Sequence, residues 1–221
     1  MNIYVVIDGE YAIKKIFQNW IPLINKQMEC VDYTSDLKAN NFVIYANRNG
    51  IPGIWSLAER AIEDANSNLS IDRLVVCVDS EDKSYSEMLL DAKQRVEKKT
   101  CRVPIMYVIQ HFCVETWFLG NVNVFRRTTK DKELKDYYTK FDIRNNDPED
   151  LPDYQQKFNT KAGFAYNYLR AGIRDSYGNK KHYTKHSAGI VQEETYFNSV
   201  FERHTKKQHI QSFKDFLIAF S

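Results

Sequence analysis

Apolar residues recur with two different periods in the first half of the chain, and the points where the period changes mark out its elements. Residues 2 to 8 form a short β-rich run ending at Asp8 and Gly9, after which Ile13, Ile16, Phe17, Trp20 and Ile24 follow at helical spacing. A second strand is expected over Asn41 to Ala46, and the turn signals Asn49-Gly50 and Pro52-Gly53 introduce a helix through Trp55, Leu57, Ala58, Ala61, Ile62 and Ala65. Arg73 to Asp79 carries an unbroken Leu-Val-Val-Cys-Val run, the pattern of a strand covered on both faces. Ser84, with Glu87 three residues later, has the signature of a capping box for a helix reaching about Lys98, with Met88, Leu89, Ala92 and Val96 inward. Val103 to Ile109 reads as a further strand.

This alternation predicts an α/β fold with a mainly parallel, doubly wound sheet flanked by helices. Ligands of such sheets bind beyond the carboxyl ends of the strands, so the residues just past each strand carry the functional interest. From about Val122 the strand pattern stops. A polar, acidic loop over Asn145 to Asp153 contains Pro148 and Pro152, a helix is expected over Gln155 to Arg174, and Phe213, Phe216, Leu217 and Phe220 mark an amphipathic C-terminal helix. The chain therefore divides at about residue 121 into an α/β part (1–121) and a mainly helical part (122–221), the latter either packed on the sheet or forming a small second domain.

Composition narrows the class. A chain of 221 residues with 43% hydrophobic content can bury a sizeable core. Its longest apolar stretches, Leu74 to Val78 and Ile105 to Ile109, fall far short of the roughly 18 residues a spanning helix needs, and no signal pattern opens the sequence; a cytoplasmic protein with no membrane association is expected. Cys30, Cys77, Cys101 and Cys113 are scattered and read as reduced thiols. The net charge of +2 gives no global field for nucleic acid; local positive charge sits at Arg126, Arg127, Lys130 and Lys180 to Lys185, for which a solvated face is the simpler reading.

Acids change the picture. Asp8-Gly9-Glu10 closes the first strand, Asp79-Ser80-Glu81-Asp82 follows the strand at 73–79, and Glu115 lies five residues past Gln110, between the apolar Val114 and Trp117. A single such cluster is explained by turn chemistry or by the helix dipole. Three in strand-end contexts, one of them on a segment expected to be buried, point to carboxylates that share a hard divalent cation, Mg²⁺ or Mn²⁺. A buried pairing of Glu115 with Arg or Lys would serve it equally well.

Other arrangements carry less. His182 and His186 have a spacing that can ligate zinc from one helix face, yet no glutamate accompanies them, and two surface or phosphate-facing histidines are the simpler reading. His111 is a candidate proton shuttle or a packing residue. Tyr166, Tyr168, Tyr177 and Tyr183, interleaved with Arg170, Arg174, Lys180, Lys181 and Lys185, fit base stacking and helix packing equally well. No phosphate-binding Gly-Lys-Ser/Thr loop and no Gly-x-Ser-x-Gly elbow occurs.

The two leading acidic elements resemble those of the TOPRIM fold, a Rossmann-like arrangement found in topoisomerases, bacterial primases and OLD-type nucleases. Val6-Ile7-Asp8-Gly9-Glu10 is similar to its Glu-Gly element with Asp8 in place of the usual Glu, and Val78-Asp79-Ser80-Glu81-Asp82 to its Asp-x-Asp element, with Glu81 where an Asp is usual or Asp82 displaced by one. The order of further short elements resembles the small stand-alone TOPRIM proteins of bacterial defence loci, the AriB-like and RloB-like groups encoded beside an ABC-type ATPase. Those elements are Glu115-Thr116-Trp117, Tyr183-Thr184-Lys185 and Ser212-Phe213-Lys214-Asp215-Phe216-Leu217.

The resemblance implies a metal-dependent phosphodiesterase, a nuclease acting on DNA, tRNA or other RNA as the effector of an anti-phage system. It would work with an ABC-type ATPase partner, and a homodimer is an allowed state. Asp8, Glu10, Asp79, Glu81 and Asp82 would hold Mg²⁺ or Mn²⁺, Glu115 would orient or complete the site, and Lys185 would stabilise developing negative charge. The alternative is a binding or regulatory subunit that keeps the fold without the chemistry, since the Asp-for-Glu and Glu-for-Asp exchanges alter reach by a methylene.

Overall fold

A computed structural model describes every residue except Glu10 and Asn49. Five strands form a single all-parallel sheet in the order β2-β3-β1-β4-β5: β1 Ile3–Asp8, β2 Glu29–Val31, β3 Asn41–Asn47, β4 Arg73–Asp79 and β5 Ile105–Gln110. The expected α/β fold with a parallel sheet between helices is present. Alternate residues of the central strands enter opposite cores. Ile3, Val5 and Ile7 of β1 and Val75 and Cys77 of β4 face one; Tyr4 and Val6, with Leu74, Val76 and Val78, face the other. Cover on both faces is why β1 and β4 read as continuous apolar runs.

Two helices cover one face, α2 (Ile51–Ser67) through Ala58, Ala61 and Ile62, and α3 (Tyr85–Val96) through Met88, Ala92 and Val96. Ser84 caps α3 in the expected box, its hydroxyl accepting from the Glu87 backbone while the Glu87 carboxylate accepts from the Ser84 N–H at 2.9 Å. The opposite face takes α1 (Tyr11–Ile24) through Ile13, Ile16, Phe17 and Trp20, together with the helices that follow the sheet. These are α4 (Val114–Phe118), α5 (Lys132–Lys140), α6 (Lys161–Tyr177), α7 (Glu194–Lys207) and α8 (Phe213–Phe220).

Residues before and after position 121 share this second core. Trp20 meets Phe118, Phe197 and Phe213 edge-on, with ring centroids 5.4, 5.3 and 6.1 Å away, and its indole N–H donates to the Val191 carbonyl at 2.9 Å. Each large apolar side chain removed from water here contributes about 1.5–3 kcal/mol, so this aromatic centre does much to fix the later helices on the sheet.

Two elements differ from expectation. β2 spans three residues at the sheet edge, too short for any periodicity to show. The helix expected from Gln155 starts instead at Lys161, because residues 154–158 close a turn on the Tyr154 carbonyl and Thr160 supplies the cap, its hydroxyl accepting from the Gly163 N–H at 3.0 Å. All four cysteines are free thiols, with Cys77 and Cys113 buried. Among the described residues no helix is long and apolar enough to cross a membrane.

The topology decides where a ligand would sit. After β1 the chain runs through α1 to the β2 edge, and after β4 it runs through α3 to the β5 edge on the opposite face. The strand order therefore reverses between the neighbours β1 and β4, and the crevice beyond their carboxyl ends is the place where open α/β sheets bind ligands.

Candidate functional site

Asp8 ends β1 and Asp79 ends β4, so the two acids meet at this switch point. Both line an open cavity of about 190 Å³ together with Glu81, Glu115 and Lys185. A neighbouring cavity of about 240 Å³ shares Asp79, Glu81, Glu115 and Lys185 and is closed by the first turn of α6 at Thr160 and Gly163. The sequence thus brings five of its seven candidate residues to one place. Glu10 lies outside the described residues, and Asp82 is exposed and lines neither cavity.

Backbone geometry sets each acid. Gly9 has φ +148°, its N–H donates to the Asn47 carbonyl at 2.9 Å, and a Cβ there would stand 3.0 Å from Ile13 Cγ1, so the turn after Asp8 requires glycine. Asn47, the β3 residue paired with Asp8, donates its side-chain amide to Asp8 Oδ1 at 3.0 Å and to the Gly50 carbonyl at 2.7 Å. Beyond β4, Glu81 adopts a left-handed conformation with φ 52°, and its N–H donates to the carbonyl of Phe112, itself at φ 60°. Two non-glycine residues held left-handed and bonded to each other mark a locally strained junction between β4 and β5. Ser80 secures it: its hydroxyl accepts from the Phe112 N–H at 2.9 Å.

Glu115 enters from α4 and is only 5% exposed. The buried Tyr183 donates to Glu115 Oε1 at 2.9 Å, and the Val114 N–H donates to Asp79 Oδ1 at 3.1 Å, so the start of α4 touches both acids. Trp117 on the same helix donates to Ser212 Oγ at 2.7 Å, and Ser212 donates to Glu149. The late Ser-Phe-x-x-Phe-Leu element is therefore structural, positioning the helix that bears Glu115.

Lys185 sits at the tip of a two-residue turn closed by reciprocal backbone bonds between Thr184 and Ser187. Its carbonyl accepts from the Ala12 N–H at 3.3 Å, which ties the turn to the start of α1. Gly189, at φ 52°, lets the following chain pass so close that a Cβ would lie 1.4 Å from the His182 carbonyl oxygen. His182 and His186 lie in this exposed turn segment and not on a helix, so the zinc spacing has no common face to act from. His111, half-buried against Phe112 with its ring nitrogen 3.3 Å from Ser80 Oγ, lines a different cavity.

Burial raises the Asp79 carboxyl well above the usual range, and the charges of Glu115, Glu81 and Asp8 push it further while Lys185 opposes them. Asp8 is raised by burial against its bond from Asn47 and the charge of Lys185, and Glu81 by burial and then by Asp82 and Asp8. Glu115 and Asp79 also lift the buried Cys113 and Tyr183, after burial itself. Four carboxylates at one rim, against Lys185 and Arg48 as the cations among the described lining residues, are an oxygen-donor set suited to a hard divalent cation. As the side chains stand, no three His, Cys, Asp or Glu groups among the described residues are close enough to hold a metal ion.

Asn47 and Arg48, which line the first cavity, escape a search for acids; their only signal is their place at the end of a strand. Tyr183 belongs to the site as a buried donor, while Tyr168 is core and Tyr166 and Tyr177 stay half-buried. Comparison of the chain with protein-family models, with curated proteins and with solved structures finds no match.

Proposed function

We propose that the protein is a metal-dependent phosphodiesterase, a nuclease of the TOPRIM kind, with Mg²⁺ or Mn²⁺ held by Asp8, Asp79 and Glu81. The observation that carries this reading is the meeting of Asp8 and Asp79 at the strand-order reversal with Glu81 and Glu115 in the same cavity. A bound divalent ion would favour the ionised form of Asp79, which burial and then like charge disfavour, and would polarise a phosphodiester while acidifying a water. Glu115, fixed by Tyr183, orients the site from the side of α4, and Lys185 provides a cation for charge developing on phosphate oxygen. An anti-phage setting with an ABC-type ATPase rests on the sequence resemblance alone.

The test is incubation of the purified protein with DNA and with total tRNA, in Mg²⁺ or Mn²⁺ and in EDTA. Cleavage in metal, absent in EDTA and in a folded Asp79→Ala variant, supports the reading; full activity in that variant rejects it. The second reading is a binding or regulatory subunit that keeps the fold without the chemistry, and it rests on the Asp-for-Glu exchange at Asp8 and the Glu-for-Asp exchange at Glu81. Such a subunit would be folded, cleave neither substrate and leave Mn²⁺ unbound.

A further inference from the structure

A hollow of about 590 Å³ lies between α7, the 3₁₀ turn Val122–Val124 and the loop at Arg144, and shares no lining residue with the carboxylate cavities. Its volume falls in the range of small-molecule sites. Arg203 lines it and is only 5% exposed. The guanidinium Nε donates to His209 Nδ1 at 3.2 Å, Nη2 donates to the carbonyls of Ile143 at 2.7 Å and Asn146 at 2.5 Å, and the buried Nη1 has no partner. All of these acceptors are neutral. The carboxylates of Asp147 and Asp142 lie near enough to act on this buried guanidinium through their charge, but neither is hydrogen-bonded to it, and Nη1 is left with an unfilled donor that is costly to bury.

The remaining lining gives an acceptor for that Nη1 a setting. His209 spends its Nδ1 as an acceptor, which leaves the proton of the neutral ring on Nε2 as a donor. Lys207 lines the rim and is exposed, whereas its neighbour Lys206 is engaged by Glu202, the one carboxylate among the described lining residues, whose charge that pairing offsets. Val122, 38% exposed, adds apolar surface to the same hollow. We propose that this cavity binds a phosphate monoester of nucleotide size, its phosphate drawn to Arg203, His209 and Lys207 and its ring lying against Val122. Planar guanidinium and phosphate match in charge and in hydrogen-bond geometry.

Calorimetric titration of the full chain with AMP and with inorganic phosphate tests this, in EDTA so that no metal can recruit phosphate to the carboxylates. The site predicts saturable AMP binding, tighter than phosphate, weakened about tenfold or more by Lys207→Glu and by His209→Ala and unchanged by Lys38→Glu, which makes the same charge change outside the cavity. Arg203→Met should abolish binding if it folds; if it does not, the two rim variants decide. Absence of AMP binding, or binding indifferent to both rim variants, overturns the proposal. So does phosphate binding as tight as that of AMP, or an oligonucleotide that binds far more tightly than AMP. None of these outcomes bears on metal binding by Asp8 and Asp79.

Discussion

Tyr183 donates a 2.9 Å hydrogen bond to Glu115 Oε1, and both side chains are buried beside Asp79. This bond links the segment that carries Lys185 to the helix that carries Glu115, so two walls of the cavity are set by one contact. Tyr183→Phe keeps the ring that packs edge-on against Phe118 and removes only the hydroxyl. The buried carboxylate then lacks that donor, and urea denaturation should show a loss of about 1–3 kcal/mol.

Asp79 makes the metal-free protein sensitive to pH. A carboxyl whose native pKa lies above its unfolded value binds more protons in the native state between the two, so its stabilising effect is complete at low pH and fades as pH rises through the native value. Asp8 and Glu81 shift the same way. In EDTA, stability should therefore fall as pH climbs from the ordinary carboxylate range toward neutrality. Asp79→Asn should flatten that slope in thermal unfolding measured across pH, and a slope unchanged in the variant would remove Asp79 as its cause.

Gly9→Ala places a Cβ 3.0 Å from Ile13 Cγ1 at a φ that L residues rarely adopt. The expected cost is about 1–3 kcal/mol, read as a lower thermal midpoint. Displacement of Asp8 should weaken Mn²⁺ binding in the same variant.

Neighbouring acids should behave differently. Glu81 lines both cavities, and Glu81→Gln should weaken Mn²⁺ binding by about tenfold or more, whereas exposed Asp82 lines neither and Asp82→Ala should change the affinity by only about twofold. Calorimetric titration of the two variants in parallel checks the distinction.

Much of this architecture is legible in the sequence, for physical reasons that differ between elements. The apolar run of β4 and the capping box at Ser84 are local signals, and parallel topology then brings the ends of β1 and β4 together without further information. β2 escapes because three residues at an edge cannot express a period, and the true start of α6 depends on whether Thr160 or an earlier residue caps it. Asn47 is identified only by its pairing with Asp8, and Tyr183, although singled out in the sequence, acquires its role as the donor to Glu115 only in the fold. Both are long-range relationships that residue type and spacing do not encode. The left-handed turn at Glu81, just before the exposed Asp82, is likewise a backbone feature with no glycine to announce it.

Calorimetric titration of Mn²⁺ into the wild-type protein and into Asp79→Asn, with folding of each verified by circular dichroism, tests the central claim most directly. Saturable binding that the substitution abolishes is the predicted result. A folded wild-type protein that takes up no Mn²⁺, or a variant that binds it as tightly as the wild type, would contradict a cation shared between the ends of β1 and β4.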